Sequence, residues 1–241
     1  MRRFGSAQIP VIRTDILALM FRVPGLNGLQ NVLEAAVRVD EAVSGLLMLT
    51  GGEDSLRVVA QVEASPALVA HANRLRLGDG SATGQAASER RRVVIRDVAR
   101  DPSLGHHRAA AEAAGVQAIQ ATPLIDRDRK IRGVLTTFYP TQHHPSTDSL
   151  RYIDLCCRVA ERLIEVVRLH EAMVAADREM GIPQRALSPS AAQAADAARV
   201  LLPSISKRHS GEGLLVATDR HLTIVADELA SYLRTHAGNV R

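Results

Sequence analysis

Cysteine is nearly absent from this sequence of 241 residues: Cys156 and Cys157 are adjacent and are the only two. They fall within a helical pattern and have no other cysteine to pair with. The chain therefore has neither a disulfide framework nor a thiolate zinc site. Such cysteine usage is typical of a reducing compartment, so we expect a cytoplasmic protein.

Aromatic residues are also scarce, with three Phe, three Tyr and no Trp. Apolar residues nevertheless make up 46% of the chain, so Ala, Val, Leu and Ile must fill the core. Few aromatic side chains are available to stack on bases or to cover a porphyrin. This scarcity disfavours nucleic-acid binding and a haem held by His71 or His107. The net charge of +4 permits an acidic partner, but the arginines are scattered rather than gathered in a stripe.

Long apolar runs are missing as well. Residues 1–23 are interrupted by Pro10, Arg13 and Asp15, so they do not contain an unbroken signal-peptide core. No run approaches the roughly 20 apolar residues that a membrane span needs. We expect a soluble protein without a membrane partner.

Motifs of covalent catalysis do not occur. The chain has no Gly-x-Ser-x-Gly segment and no cysteine placed near a histidine in a predicted cleft. The segment GDGSATG, residues 78–84, is not followed by Lys-Ser or Lys-Thr, so it does not match a phosphate-binding loop. Its glycines more simply allow a tight turn, with Ser81 or Thr83 capping the next helix. We expect no enzymatic activity and no catalytic residues, and the sequence identifies no cofactor.

Short apolar runs separated by turn residues indicate an α+β fold. Helical spacing over 26–42 is followed by two β-type runs around the turn Gly-Gly-Glu-Asp, and then by a helix that begins at Pro66. A strand ending at Asp97, a short helix stopped by Gly115 and a second hairpin over 116–139 come next. This order predicts a mostly antiparallel sheet with helices on its faces.

A long helix from about 148 to 180 follows, with Ser146 or Thr147 as its expected N-cap. Two apolar stripes run along it, and the second consists of Val159, Leu163, Val166 and Met173. A helix that is apolar on two sides needs two partners. We therefore expect the second stripe to pair with its copy in a homodimer.

Eight short motifs occur in the order and at the spacing found in a bacterial subgroup of GAF domains. They are Gly80–Ser81, Val93 to Val98, Asp101–Pro102, His107–Arg108, Ala114–Val116, Thr122–Leu124, Gly133–Leu135 and Pro145–Ser146. The chain therefore resembles the GAF sensory domains. This resemblance implies a central six-stranded antiparallel sheet flanked by helices, a long C-terminal helix, and a ligand pocket in front of the sheet.

The resemblance also divides the chain. It implies an N-terminal extension at 1–25, a GAF-like sensory domain at 26–170, and a C-terminal extension at 171–241. The pattern after residue 183 predicts two modest helical stretches in that extension. The pocket-forming region has no cysteine, unlike relatives that bind a bilin or reduce free methionine sulfoxide. Arg90 and Arg129 stand where the subgroup often has a turn glycine.

A polar cluster around residues 97–107 is the main candidate site. Asp97 ends a strand, Asp101 opens a turn, and His106–His107 follow. Consecutive histidines on a helix project roughly 100° apart, which is awkward for one metal ion, so we expect no metal site. Either these side chains cap turns and form a polar rim, or they form one wall of a ligand pocket.

For the pocket interpretation, the expected ligand-binding residues are Asp97, Asp101, His107, Gln120, Thr122 and Ser81. Gln120 and Thr122 alternate along one strand, so both are expected on its ligand-facing side. Ile119 and Ala121 would then point into the core. The floor of the pocket would be formed by Val94, Leu135 and Thr137.

The leading hypothesis is a cytosolic regulatory sensor that binds a small molecule or a signalling-protein partner and signals through helical dimerisation. The alternative is a component of a transcriptional or RNA-level regulator whose C-terminal helical region contacts nucleic acid. A helix-turn-helix or RNA-binding signature after residue 183 would favour the alternative, and we find none in the sequence. Nucleic acid is therefore the less favoured partner.

Overall fold

A computed structural model describes residues 28–39, 41–180, 187–205 and 212–236. The helices in chain order are α1 (Gly28–Val39), α2 (Pro66–Ala72), α3 (Ala82–Glu89), α4 (Arg108–Ala113), α5 (Thr147–Met180), α6 (Pro189–Ile205) and α7 (Glu212–His236). The strands are β1 (Ser44–Thr50), β2 (Leu56–Val62), β3 (Val93–Ile95), β4 (Ala118–Ile125) and β5 (Ile131–Tyr139). The N-terminal extension expected at 1–25 lies outside the described residues.

The strands form one antiparallel sheet in the order β2-β1-β5-β4-β3. Both predicted hairpins are present, because β1 pairs with β2 and β4 pairs with β5. Among the described residues the sheet has five strands and not the six implied by the resemblance. After α2 the chain forms one isolated β-bridge, between Ser55 and Arg76. It then turns at Gly78, whose φ is +74°, and no strand forms beside β2 at this point.

Side-chain amides close the outer edge of β2. The Gln30 amide of α1 donates to the Gln61 carbonyl (2.8 Å) and accepts from the Gln61 N–H (3.2 Å). The Asn73 side chain accepts from the Val58 N–H (2.9 Å). An unpaired strand edge is a template for aggregation, so these amides protect the sheet at its last strand.

The sheet has two apolar faces because its side chains alternate. At the back, Leu47 and Leu135 pack with α1 and α5. At the front, Leu46, Met48 and Phe138 pack with α2, α3 and α4. Burying one such side chain stabilises the fold by about 1.5–3 kcal/mol. The domain therefore has a helical layer on each side of a central sheet.

Hydroxyl caps begin α2 at the predicted Pro66 start and α5 at one of its two predicted cap residues. The Ser65 hydroxyl accepts from the Leu68 N–H (3.2 Å), with Pro66 as the first residue of α2. The Ser146 hydroxyl accepts from the Ser149 N–H (3.1 Å) at the start of α5. Such caps satisfy backbone donors that have no partner within the helix.

The second apolar stripe of α5 is buried by the chain itself. Leu163 and Val166 are both 0% exposed. They belong to one apolar cluster with Leu202 of α6 and Leu222 of α7. The expectation that a second protomer covers this stripe is therefore wrong, because both predicted C-terminal helices fold back onto it. Dimerisation by another surface stays a prediction.

Polar contacts also attach α7 to the domain. Arg127 of the β4–β5 turn donates to Asp227 of α7 (2.7 Å). Tyr232 of α7 donates its hydroxyl hydrogen to Asp177 of α5 (2.5 Å). The apolar core and these contacts continue past residue 170, where the resemblance placed a domain boundary. No helix in the described part of the chain is long and apolar enough to cross a membrane.

Candidate functional site

A small cavity lies between the front of the sheet and helices α2, α3 and α4. Its volume is about 40 Å³. Most of its lining is apolar and includes Leu46, Met48, Leu104, Ile119 and Phe138. Its polar lining residues are His71, Ser81, Thr83 and His107. An apolar wall with a few polar groups is the usual composition of a small-molecule site.

The glycine-rich loop before α3 positions Ser81. The Ser81 hydroxyl accepts from the Gly84 N–H (2.9 Å) as the N-cap of α3, and it donates to Asp79 Oδ1 (2.6 Å). The other Asp79 oxygen accepts from the Arg76 N–H (2.9 Å). Position 84 requires glycine, because a Cβ there would lie 2.2 Å from Asp79 Oδ1. The segment is therefore a tight, capped turn beside the cavity.

Two histidines meet at the cavity wall. His107 is only 8% exposed, and its Nδ1 lies 3.2 Å from Nε2 of His71. Its Nε2 lies 3.1 Å from the Asp79 carbonyl oxygen. Because a carbonyl only accepts, His107 Nε2 carries a hydrogen, and Nδ1 of the neutral ring is then an acceptor. His71 Nε2 is therefore the donor between the two rings.

The surroundings of His71 favour its neutral form. Burial is the main cause that lowers the pKa of His71 below its usual value, and His107 is the next largest. Arg74 and His106 act in the same direction, whereas Asp79 opposes them. His71 is therefore uncharged at neutral pH, in agreement with its role as a neutral donor to His107.

The 3₁₀ segment Pro102–His107 closes the cavity and carries two lining residues, Leu104 and His107. Asp101 caps this segment: its carboxylate accepts from the backbone N–H (2.9 Å) and the hydroxyl (2.5 Å) of Ser103. Gly105 has φ +48° and ψ −125°, a backbone conformation that only glycine adopts readily. The kink at Gly105 separates the two residues that enter the cavity.

The sequence profile of the GAF domain matches residues 29–165, which is more than half of the 241-residue chain. This chain belongs to the GAF domain family. The match confirms the resemblance seen in the sequence, and it extends from α1 into the middle of α5. No curated protein sequence matched the chain.

Solved structures with a similar fold include the GAF domain of an Acinetobacter phosphoenolpyruvate-protein phosphotransferase, at 15% identity and a TM-score of 0.47 over 62% of this chain and 88% of that one. Free methionine-R-sulfoxide reductase from Neisseria meningitidis is 18% identical, with a TM-score of 0.48 over 62% and 84%. The chromophore-binding domain of a bacteriophytochrome from R. palustris is 16% identical, with a TM-score of 0.48 over 66% and 61%. At these identities the likeness concerns the fold alone.

Two of the six predicted ligand-binding residues, Ser81 and His107, line the cavity of this GAF domain. Asp97 and Asp101 lie outside its lining and cap turns. The Asp97 carboxylate accepts from the Ala99 N–H (3.0 Å) and from the Gln142 amide (2.7 Å). Both aspartates therefore cap turns, and Asp97 also lines a separate surface pocket with Glu112 and Gln142. That either aspartate binds a ligand stays a prediction.

Gln120 and Thr122 point to the back of the sheet. The Thr122 hydroxyl accepts from Arg92 (3.1 Å), which also pairs with Asp154 of α5. Ile119, which was expected in the core, lines the cavity instead. The predicted orientation of β4 is therefore wrong. Alternation separates the two faces, but it does not determine which face meets the cavity.

The floor that was predicted for the pocket is on the wrong face of the sheet for the same reason. Val94 and Thr137 are the register partners of Gln120 on β3 and β5, so all three lie on one face of the sheet. Leu135, two residues before Thr137, belongs to the core behind the sheet. The floor of the cavity is formed by side chains of the opposite face, including Leu46, Met48 and Phe138.

Sequence reasoning considered His71 only as a haem candidate and missed it as the partner of His107. A pattern that could have found it was present, because Leu68, His71 and Ala72 follow at helical spacing and share one face of α2. All three line the cavity. The contact with His107, which is 36 residues away, needed the tertiary structure.

The cysteines lie on the other side of the sheet. Cys156 and Cys157 are buried in α5, and burial raises the pKa of the Cys157 thiol well above its usual value. The residues that line the cavity include no cysteine. Within the described ranges, no group of three or more His, Cys, Asp or Glu side chains is arranged to hold a metal ion. That the protein carries no metal stays a prediction.

Proposed function

We propose that the protein is a cytosolic regulatory GAF domain that binds a small molecule in the front cavity and catalyses no reaction. The contact between His71 and His107 carries this proposal. It places a hydrogen-bonding pair in the wall of a mostly apolar cavity. Such a pair can orient a small ligand, while the apolar lining supplies affinity.

The position of the thiols supports a regulatory rather than a redox role. Catalysis by a cysteine requires a thiolate that can reach the substrate. Here both cysteines are buried behind the sheet, and burial favours the neutral thiol of Cys157. GAF domains commonly act as sensors, which agrees with a ligand-binding role without chemistry.

Two hydrogen bonds join the sheet to the helices on its two faces. The Thr83 hydroxyl of α3 lies 3.2 Å from the Thr136 hydroxyl of β5. On the other side, the Ile125 N–H of β4 donates to Glu161 of α5 (2.9 Å). We propose that ligand binding alters α5 and the packing of α6 and α7, and that this layer contacts a signalling protein or a second copy.

A thermal-shift screen of small acids, amides, alcohols and nucleotides tests ligand binding. A ligand that binds only the folded state stabilises it by about 2.7 kcal/mol at a hundredfold excess over its Kd. Ala111 is buried at the cavity and Ala113 is exposed on the same helix. Ala111→Leu should abolish the shift by filling the cavity, and Ala113→Leu should keep it.

Two results would contradict the proposal. If ligands still raise the melting temperature of the Ala111→Leu protein, they bind outside the cavity. The absence of any hit, together with a gain in stability from Ala111→Leu, would show that the space is only a packing defect. Native mass spectrometry of gently purified protein complements the screen, because it detects a retained ligand and the oligomeric state together.

A further inference from the structure

The size and lining of the cavity restrict the ligand class. A volume of about 40 Å³ has room for roughly three waters, so a ligand of a few non-hydrogen atoms fits without a large rearrangement. Leu46, Met48 and Phe138 offer it no hydrogen bond. The ligand must therefore have a short apolar body.

Two of the polar lining residues are already satisfied by the protein. The Ser81 hydroxyl donates to Asp79 and accepts from the Gly84 N–H. The Thr83 hydroxyl pairs with the Thr136 hydroxyl. The His71–His107 contact is also a hydrogen bond, across 3.2 Å. Imidazole differs from a hydroxyl because its hydrogen-bonding capacity changes when it takes up a proton. A charged end of a ligand would therefore bind to the histidine pair.

The charge state of this pair determines which ligand end it accepts. In the neutral pair, His71 Nε2 donates and His107 Nδ1 accepts. One added proton on His107 turns Nδ1 into a second donor that points at the first. Two facing donors repel each other, so the rings turn toward the cavity, where their two N–H groups match the two oxygens of a carboxylate.

Resting on the proposed ligand-binding function, we propose that the cavity binds a short-chain monocarboxylate whose oxygens accept hydrogen bonds from His71 and His107, and that the pair takes up one proton on binding. The charges then balance, because one carboxylate and one added proton enter together. A buried ion is tolerated when it is paired and hydrogen-bonded in this way.

The groups that face the pair leave His71 neutral before the ligand arrives. Burial, His107, Arg74 and His106 all lower the pKa of His71, whereas Asp79 opposes them. Asp79 Oδ1 also lies 3.8 Å from His107 Nε2. A carboxylate supplies the negative charge that the pair needs to hold one more proton.

The test is an NMR titration of the full chain with isobutyrate and with its neutral isostere isobutyramide. With one proton taken up, the Kd for isobutyrate should rise about tenfold for each pH unit between pH 7 and 8. The amide should bind more weakly and without pH dependence. His107→Gln keeps a donor for the Asp79 carbonyl but removes the Nδ1 position, so it should weaken isobutyrate binding at pH 6 and flatten the pH profile.

Each outcome decides the proposal. Equal, pH-independent binding of the acid and the amide would overturn it but leave the ligand-binding function intact. If neither binds, while another ligand class stabilises the protein and is lost in Ala111→Leu, only the carboxylate inference fails. If no ligand class binds at the cavity, both proposals fail. Should His107→Gln not fold, the acid and amide comparison on the wild-type protein gives the same decision.

Discussion

At the residue scale, two turns have an arginine where the backbone conformation favours glycine. Arg90 ends α3 with φ +53°, and Arg129 lies in the β4–β5 turn with φ +63°. A side chain in this left-handed region costs about 1 kcal/mol relative to glycine. The GAF subgroup that the sequence resembles often has a turn glycine at both positions, and the positive φ values explain why.

We therefore expect Arg90→Gly to stabilise the protein by up to about 0.5 kcal/mol, since the relief of about 1 kcal/mol of strain exceeds the entropy that glycine adds to the unfolded chain, which is worth roughly 0.4–1 kcal/mol. Urea unfolding measures the change as a higher midpoint. The neighbouring Arg91, which is exposed and lacks a positive φ, is the matched control. Arg91→Gly should be neutral or destabilising, and equal effects of the two changes would contradict the strain argument.

At the element scale, one partly buried carboxyl connects the sheet to α5. The Glu161 side chain of α5 accepts from the Ile125 N–H at the end of β4. Burial raises the pKa of this carboxyl to about 7, from its ordinary 4.5. Because the folded-state pKa exceeds the unfolded-state pKa, the stabilising contribution is complete below about pH 4.5 and is lost as the pH rises to about 7.

The loss over this pH range should be on the order of 3 kcal/mol. Glu161→Gln keeps an acceptor for the Ile125 N–H but cannot ionise, so its stability should stay nearly constant from pH 4.5 to 7.5 where the wild type weakens. Denaturant unfolding at several pH values measures both curves. The exposed Glu171 of the same helix is the control, and Glu171→Gln should follow the wild-type curve. A Glu161→Gln curve parallel to the wild type would show that this carboxyl does not titrate in that range.

At the scale of the whole molecule, α6 and α7 complete a helical layer with α1 and α5. Leu163 is 0% exposed inside this layer, whereas Ile224 on the outer side of α7 is 41% exposed. The chain itself thus buries the second apolar stripe, which the sequence analysis assigned to a dimer interface. The core behind the sheet is accordingly larger than residues 26–170 alone would form.

Leu163→Glu should therefore reduce the unfolding free energy by several kcal/mol, because it places an unpaired charge in an intact core. Ile224→Glu should change stability by less than about 0.5 kcal/mol. Thermal unfolding and light scattering together distinguish this result from a dimer interface. A Leu163→Glu protein that stays as stable as the wild type and becomes monomeric would mean that the stripe contacts a second copy.

Local patterns were enough to predict the elements. Apolar alternation placed both hairpins, and local hydroxyl residues limited each cap to two candidates, of which Ser81 and Ser146 are the caps. The α+β class and the family also followed from short-range motifs, because each motif reports a turn, a cap or a strand that the local chain determines.

The tertiary structure decided which faces meet. Nothing along β4 distinguishes its two sides, since Gln120 and Thr122 are as buried as Ile119. The helices that cover each face made Ile119 a cavity residue. The same holds for His71 and His107 and for the stripe at Leu163, because contacts between distant segments depend on how the layers pack and leave no periodic trace in the sequence.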